Sequence, residues 1–306
     1  MRSWALYLFY VLPLCDAWGN LAHRTIGFLA QKHFTPEALE YTQDLLGKET
    51  IDSAAIWADT YKLLPWGRKT GSWHFVDAQD NPPSSCSVDY HRDCQPNRTC
   101  IITAIADMTD EITDPTVARK GKKKALKFLL HLIGDLHCPL HAESIARGGN
   151  DIPVLYHDQK TNLHFVWDVL MPREAAKGEG QNEVEVAKRW AGQLYNSTVG
   201  EPYTLTFDSG YGPEAPSSSM AAFGARDDSE ELLLRWAREA NALVCRMVLK
   251  DGVEAIKGKE LSGEYFDDSI AIIERQIALS GVRLAMWINS IAAIARDTAK
   301  EREELR

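Results

Sequence analysis

Two histidine–aspartate pairs with the same spacing are the residues of this sequence best suited to chemistry. His131 and Asp135 lie four residues apart in a strongly helical pattern, and His164 and Asp168 repeat that offset. Side chains four apart on a helix project from one face about 5–6 Å from each other, so each pair can converge on one metal ion. Four further side chains of the same types could join them: His23, Asp59, His74 and His141.

A single pair of this kind is more typical of a surface salt bridge or a capped core histidine than of a metal site. Two pairs, together with further histidines that stand beside Trp or Phe, favour a different interpretation. Burying several imidazoles and carboxylates among aromatic side chains is costly unless each is paired or bound to a metal. The pattern therefore predicts a multinuclear site of nitrogen and oxygen ligands, with zinc favoured in a secreted, redox-neutral setting.

The amino-terminal stretch predicts export. Arg2 precedes an apolar run over 4–15, and Cys15-Asp16-Ala17 supplies small residues before a cleavage site. The run is shorter than the roughly 20 residues that a membrane-spanning helix needs. We expect residues 1–17 to be a signal peptide, with Trp18 as the new amino terminus of a secreted protein that does not associate with a membrane. The alternative is a buried amino-terminal helix.

Five cysteines remain after cleavage, and in an oxidising compartment they should pair as far as they can. Cys94 and Cys100 bracket a short polar loop, which favours a local bridge. Cys86 with Cys245 would then close a long loop, which leaves Cys138 unpaired, either as a buried thiol or as a thiolate that perturbs the metal site. Two glycosylation sequons fit export: Asn97 and Asn196.

The elements that must position these residues are mostly helices. The 306 residues are 45% apolar and 25% charged, and they show neither an internal repeat nor a low-complexity linker. One all-α domain with little β structure, over 18–306, is the simplest interpretation. Helices are predicted over 20–34, from Thr35-Pro36-Glu37 onward, and over 53–64, 120–136, 182–197, 229–250 and 267–302. A short strand is predicted over 152–156, and irregular structure over 66–97 and 200–224.

The total charge gives no sign of a nucleic-acid partner. The chain has a net charge of −9, so its composition shows no basic footprint. A phosphate ligand would therefore have to be held by something other than bulk positive charge.

Seven segments spread over the chain form a recognisable set. They are Trp18-Gly19-Asn20-Leu21-Ala22-His23, Trp57-Ala58-Asp59-Thr60-Tyr61-Lys62, residues 74–83, 131–141, 162–168 and 261–265, and Gly148-Gly149-Asn150. Together they resemble the fungal zinc-dependent single-strand-specific nucleases of the S1/P1 type, over essentially the whole mature chain. The resemblance implies the all-α fold shared with zinc phospholipase C. It also implies hydrolysis of single-stranded DNA and RNA to 5′-phosphorylated products, and of 3′-nucleotides.

The resemblance implies three zinc ions. A zinc-activated hydroxide would attack phosphorus, and a zinc would stabilise the leaving 3′ oxygen. Six added positive charges in one cleft would offset the acidic composition. The implied ligands are Asp59, His74, His131 and Asp135 for the first ion; His141, His164 and Asp168 for the second; and Trp18 through its amino nitrogen and carbonyl oxygen, His23 and a bridging Asp135 for the third.

The resemblance also implies roles for residues that hold the substrate. Asp59 would orient the nucleophile, and Lys62 and Asn150 would contact the phosphate. Phe75 would stack on a nucleobase and Asp77 would bind the edge of that base. Stacking needs an exposed base face, which predicts a preference for single strands. From the residues alone, Phe75 is also typical of a core aromatic.

Two alternatives remain at this stage. A zinc phospholipase C is also a helical tri-zinc protein that begins with Trp, but it normally has Glu where this chain has Asp168. A secreted metal-binding protein with a purely structural cluster is the second, although Lys62, Phe75 and Asn150 are all present. We expect a monomer, because the predicted helices suffice for one bundle.

Overall fold

The computed structural model describes residues 18–94, 99–199 and 226–304. The predicted signal peptide over 1–17, the Asn97 sequon and the predicted 200–224 connection lie outside the described residues. The helices are α1 Asn20–His33, α2 Pro36–Leu46, α3 Ile51–Ala55, α4 Trp57–Lys62, α5 Tyr90–Asp93, α6 Ile101–Thr113, α7 Arg119–Asp135, α8 Leu163–Phe165, α9 Met171–Ala175, α10 Glu183–Val199, α11 Arg226–Leu243, α12 Val253–Ile256 and α13 Glu264–Glu304. Helical segments of 3₁₀ type cover Arg68–His74 and Pro139–Ala142, and π-helical segments cover Val166–Leu170 and Val244–Val248. Two antiparallel strands are β1 Pro153–Tyr156 and β2 Gln159–Asn162.

The all-α prediction is confirmed, and the helix that carries the first His–Asp pair lies at the centre of the bundle. Every residue of α7 from Ala125 to Asp135 is buried. Helix α1 packs against α10 and α13, and α6 packs against α7. The apolar repeat at three- and four-residue intervals explains this arrangement, because it places one face of each helix against its neighbours.

The long helix α13 lies within the protein core. Over Glu264–Glu301 it is long and apolar enough to cross a membrane, but 61% of its apolar window is buried inside the protein. Trp287 and Ile288 are fully buried. Such burial is typical of a core helix in a globular protein, where apolar side chains contact other helices.

The predicted single helix over 53–64 is wrong, because the structure has two helices there, α3 and α4. Ile56, between them, has φ −94° and ψ −2°. The carbonyl oxygen of Ala55 accepts a hydrogen bond from Nδ1 of His131 at 2.7 Å. This carbonyl is therefore used by a distant side chain, and the break turns Asp59 towards α7.

The predicted and observed elements also differ where the sequence pattern is weak or was not interpreted as a helix or strand. Helix α6 was not predicted, although its buried Ile101, Ile105 and Ile112 follow helical spacing. Strand β2 is polar and gave no alternating pattern. The predicted irregular stretch over 66–97 contains the 3₁₀ segment Arg68–His74 and the single turn α5.

Both expected disulfide bonds are present. Cys86 is bonded to Cys245 and Cys94 to Cys100. Cys138 is free and buried. The first bridge joins the irregular chain after the 3₁₀ segment Arg68–His74 to the π-helical segment Val244–Val248, and the second joins the end of α5 to the start of α6.

Helix α1 approaches α13 so closely that glycine is required at the contact. A Cβ atom added at Gly281 would lie 2.6 Å from Cγ of Leu29. Gly281→Ala should therefore lower the free energy of unfolding by about 1–3 kcal/mol, because α1 must shift to accept it. Denaturant unfolding of both proteins measures the change.

Gly192→Ala in α10 is the matched control. An added Cβ there meets no atom within 4 Å. This substitution should raise the free energy of unfolding by about 0.5–1 kcal/mol through helix propensity. Equal effects of the two substitutions would contradict the close contact between α1 and α13.

Candidate metal centre

The structure brings the predicted ligand side chains from seven parts of the chain into one buried cluster. The predicted ligands, Trp18 included, are each at most 7% exposed. Such burial of ionisable groups requires compensating partners or a cation. The contributions are His23 from α1, Asp59 from α4, His74 from the end of the Arg68–His74 segment, His131 and Asp135 from α7, His141 from Pro139–Ala142, His164 from α8 and Asp168 from Val166–Leu170.

Four ligand atoms have the dimensions of one tetrahedral metal site. Nε2 of His131 lies 3.1 Å from both Nδ1 of His74 and Oδ2 of Asp135, and these last two atoms are 2.9 Å apart. Oδ1 of Asp59 is 3.5 Å from the His131 nitrogen and 3.7 Å from the His74 nitrogen. Bonds of 2.0–2.2 Å in a tetrahedral zinc site separate the ligand atoms by about 3.3–3.6 Å. One ion could therefore be held by all four residues.

Asp135 faces a second group of ligands with its other oxygen. Oδ1 of Asp135 lies 3.1 Å from Nε2 of His23. The His23 ring stacks on His131 with centroids 3.7 Å apart. The two oxygens of Asp135 therefore point at different sets of histidines, as expected of a carboxylate that bridges two ions.

Trp18 lies beside the same cluster. The backbone N–H of Gly19 donates to the carbonyl oxygen of Asp168 at 2.8 Å, which fixes the chain immediately after Trp18. The Trp18 side chain is fully buried. The start of the predicted mature chain is thus held at the metal centre.

A further set of ligands forms around Asp168. Its Oδ2 lies 2.8 Å from Nε2 of His164 and 3.5 Å from Nε2 of His141. The Cys138 thiol donates to Oδ1 of Asp168 at 3.1 Å. Burial, and secondly the Asp168 charge, raise the pKa of this thiol well above its ordinary value. Cys138 is therefore a neutral donor, and the sequence gave no indication of this contact.

Backbone carbonyls orient three of the imidazoles. Nδ1 of His131 bonds to the carbonyl of Ala55 at 2.7 Å, Nδ1 of His141 to that of His74 at 2.9 Å, and Nδ1 of His164 to that of Gly148 at 2.7 Å. In each ring, donation by Nδ1 makes Nε2 the nitrogen that faces the cluster. This is the arrangement by which proteins fix metal-binding histidines.

The carboxylates of the cluster are ionised. Burial favours the neutral acid, but the facing histidines outweigh it and hold the pKa of Asp59 and Asp168 below their ordinary values. Burial lowers the pKa of His74 to about 4, so this ring is neutral near pH 7. For His131, burial opposes protonation, but Asp135 and Asp59 outweigh it and raise its pKa to about 10. A divalent cation would displace that proton, since ligation requires a neutral imidazole.

Unsatisfied polar atoms show that the donor set fits a metal. Within 18–94, 99–199 and 226–304, several buried side-chain atoms of the cluster lack a hydrogen-bond partner. Such atoms are rare in proteins because each costs free energy, and coordination to a cation would satisfy them. They include Oδ2 of Asp59, Oδ1 of Asp135, Nε2 of His23, Nε2 of His141 and Oδ2 of Asp168.

The two predicted phosphate contacts lie at the edge of the cluster. Nζ of Lys62 is 2.5 Å from Oδ1 of Asp59. The Asn150 amide donates to the carbonyl of Arg147 at 2.8 Å, in the turn whose Gly148 carbonyl accepts from His164. Lys62 is thus part of the cluster's charge arrangement, and Asn150 is near a ligand but bonded to its own turn.

Phe75 and Asp77 line a surface pocket of about 260 Å³ beside His74. Phe75 is half-buried, so it is a pocket wall and not a fully buried core aromatic. Sequence reasoning did not assign the other residues of this pocket to a binding site. They are Ser72, Gln79, Arg92, Asp93, Thr99 and Cys100.

Comparison with known proteins gives matches over nearly the whole chain. The family model described as S1/P1 Nuclease matches residues 18–293. Nuclease S1 of Aspergillus oryzae is 39% identical over 286 residues, which cover 92% of this chain and 93% of the relative. Nuclease P1 of Penicillium citrinum is 38% identical over 279 residues, 90% of this chain and 97% of the relative. Endonuclease 3 of Arabidopsis thaliana is 26% identical over 98% of both chains.

The matched region contains every residue of the buried cluster. Two relatives above 30% identity cover at least nine tenths of the chain, and their names agree with the family model. The chain is therefore a nuclease and belongs to the S1/P1 nuclease family.

Proposed function

We propose that this nuclease is a tri-zinc enzyme that hydrolyses single-stranded DNA and RNA to 5′-phosphorylated products and also acts on 3′-nucleotides. The single observation that carries the proposal is the bridging orientation of Asp135. Its two oxygens lie 2.9 Å from His74 and 3.1 Å from His23. One carboxylate shared in this way supports closely spaced ions, which suit phosphodiester hydrolysis.

The proposed ligands are Asp59, His74, His131 and Asp135 for one ion, His141, His164 and Asp168 for another, and Trp18, His23 and Asp135 for the third. When bound, zinc would supply positive charge to the phosphate and lower the pKa of a water molecule to about 7. Asp59 can accept a hydrogen bond from that water and orient it, because its buried Oδ2 has no hydrogen-bond partner among the described residues.

Lys62 and Asn150 are proposed to hold the phosphate. The Lys62 ammonium is positioned by Asp59, and a fixed cation beside the reacting phosphorus stabilises the charge that develops on the phosphoryl oxygens. The Asn150 amide would have to exchange its bond to the Arg147 carbonyl for a bond to substrate. Its position beside the His164 turn supports this role.

The proposed preference for single strands comes from the pocket beside His74. Phe75 offers a ring face on which an unpaired base can stack, and Asp77 can accept hydrogen bonds from the base edge. A base within a duplex exposes neither its face nor this edge. The same pocket supports a nucleotide substrate over a phospholipid.

We also propose that the mature enzyme is a secreted monomer over 18–306. The two disulfide bonds support an oxidising compartment. Asn196 is exposed near the end of α10, which suits glycosylation, and Asn97 is the second proposed acceptor.

Zinc analysis combined with substrate comparison tests the function. The purified mature protein should contain three zinc ions and release nucleotides from denatured DNA and RNA, with much slower release from duplex DNA. A chelator should abolish this activity and zinc should restore it, because the ligands are buried and preformed.

Parallel assays with a choline phospholipid and a 3′-nucleotide complete the test. Release of phosphocholine without nucleotides would contradict the proposal and support the phospholipase alternative. Bound zinc without hydrolysis of any substrate would support a structural cluster.

Maturation provides a second prediction. Protein with one extra residue before Trp18 should contain two zinc ions and have very little activity, because an amide nitrogen is a very poor zinc ligand. Elemental analysis and DNA hydrolysis are measured for both forms.

Protein with one extra residue after Arg306 is the control and should match the mature enzyme. Equal zinc content and equal activity in the amino-terminally extended form would show that Trp18 does not ligate through its amine.

A further inference from the structure

The segment that joins two residues of the metal centre carries an exposed tryptophan. Lys62, bonded to Asp59, precedes this segment, and His74 ends it. Both ends are therefore held at the cluster. Trp66 is four residues from Lys62, so their Cα atoms are at most about 15 Å apart.

Trp66 is exposed in a way that is unusual for its type. It is 65% exposed and the nearby Leu63 is 49% exposed, and these are the large hydrophobic side chains described as exposed in 18–94, 99–199 and 226–304. Exposed apolar side chains that cluster beside an active site often mark a binding surface.

The turn that carries Trp66 is rigid. The backbone N–H groups of Gly67 and Arg68 both donate to the carbonyl of Leu64, at 2.9 and 3.1 Å. A Cβ atom added at Gly67 would lie 1.8 Å from the carbonyl oxygen of Tyr61, so the turn lies directly on α4. Rigid aromatic groups lose little entropy on binding.

Aromatic side chains of α4 and α7 pack together beside the turn. The Tyr61 ring stacks on Trp57 with centroids 4.4 Å apart, and its edge meets Phe128 of α7. Nζ of Lys124 lies 5.3 Å from the centre of the Tyr61 ring. The Trp66 indole therefore projects from a fixed base that also carries positive charge.

Two cations follow Trp66 after a single glycine. Arg68 and Lys69 are exposed, and their side chains form neither a hydrogen bond nor an ion pair within the part of the chain that the structure describes. The protein as a whole has a net charge of −9, so two cations without ion pairs beside an exposed indole form a local positive patch. This combination of an aromatic face and cations binds single-stranded nucleic acid.

We propose that residues 63–69, the Trp66 turn, form a strand-binding subsite outside the pocket of Phe75. The Trp66 indole stacks on a base of the single-stranded substrate, and Arg68 and Lys69 contact the neighbouring phosphates. The inference rests on the proposed function and adds to it a second contact for longer strands. A membrane surface is less well supported, because the apolar area consists of Trp66 and Leu63 alone.

Kinetics with substrates of two lengths test the subsite. Trp66→Ala should lower kcat/KM for a 12-nucleotide strand by about 5- to 150-fold, because stacking of one base is worth about 1–3 kcal/mol and 1.4 kcal/mol is tenfold. Its kcat/KM for a 3′-mononucleotide should stay within about twofold of wild type. Trp66→Phe keeps a stacking face and should retain most of the activity on the strand.

Strand binding by the zinc-loaded protein gives a readout independent of hydrolysis. Fluorescence anisotropy is measured with a 12-nucleotide strand linked by phosphorothioates, which resist cleavage. Replacing Arg68 and Lys69 by Gln should reduce the slope of log K against log salt by up to about 1.4, since each phosphate contact contributes about 0.7. Lys160 in β2 and Lys259 after α12, both exposed, are replaced by Gln as the matched control and should leave the slope unchanged.

The outcomes separate this proposal from the proposed function. Failure of the wild-type protein to cleave any strand would overturn the function, while the anisotropy would still test the subsite. Unchanged strand binding and kinetics in Trp66→Ala would overturn the subsite while leaving the nuclease assignment intact. Weaker binding of Trp66→Ala to phosphatidylserine vesicles, with unchanged strand binding, would show a membrane surface and also overturn it.

Discussion

The buried carboxylate of Asp135 is the constraint on which the rest of the structure depends. It is fully buried in the central helix α7, and histidines from three parts of the chain face its two oxygens. A charge at such depth is stable only if positive groups surround it closely. Helix α1 and the Arg68–His74 segment must therefore meet α7 at this point, and their meeting defines both the fold and the site.

The same centre determines local structure some distance away. Nδ1 of His131 donates a hydrogen bond to the carbonyl of Ala55 at the break between α3 and α4. This break directs Asp59 inward. The backbone carbonyl of Asp168 accepts a hydrogen bond from Gly19, and the neutral Cys138 thiol donates to its carboxylate oxygen Oδ1. Lys62 and His74 then anchor the two ends of the segment that presents Trp66. The active surface is thus an extension of the ligand arrangement rather than a separate feature.

Much of the fold and of the site was predictable from the sequence, because the spacing of residues within single helices determined it. The four-residue offset of His131 and Asp135 places both on one face of α7, and the apolar repeats predicted α1, α7, α10 and α13 within a few residues. The α3–α4 break was not predictable, because the Ala55 carbonyl at the break bonds to a residue 76 positions away, which no local pattern shows. Strand β2 is polar and pairs with β1, so its sequence carries no alternating pattern. The exposure of Trp66 and the Cys138 contact with Asp168 depend on tertiary packing, for which neither residue type carries a local signal.

Zinc content of a variant at the proposed bridge tests the central claim most directly. Elemental analysis of mature protein should give three zinc ions per chain, and Asp135→Asn should leave one, because the amide cannot bridge two ions while the ligands around Asp168 are intact. Asp151→Asn, at an exposed turn, should retain three. Three tightly bound ions in a folded Asp135→Asn protein would contradict a cluster built on this carboxylate.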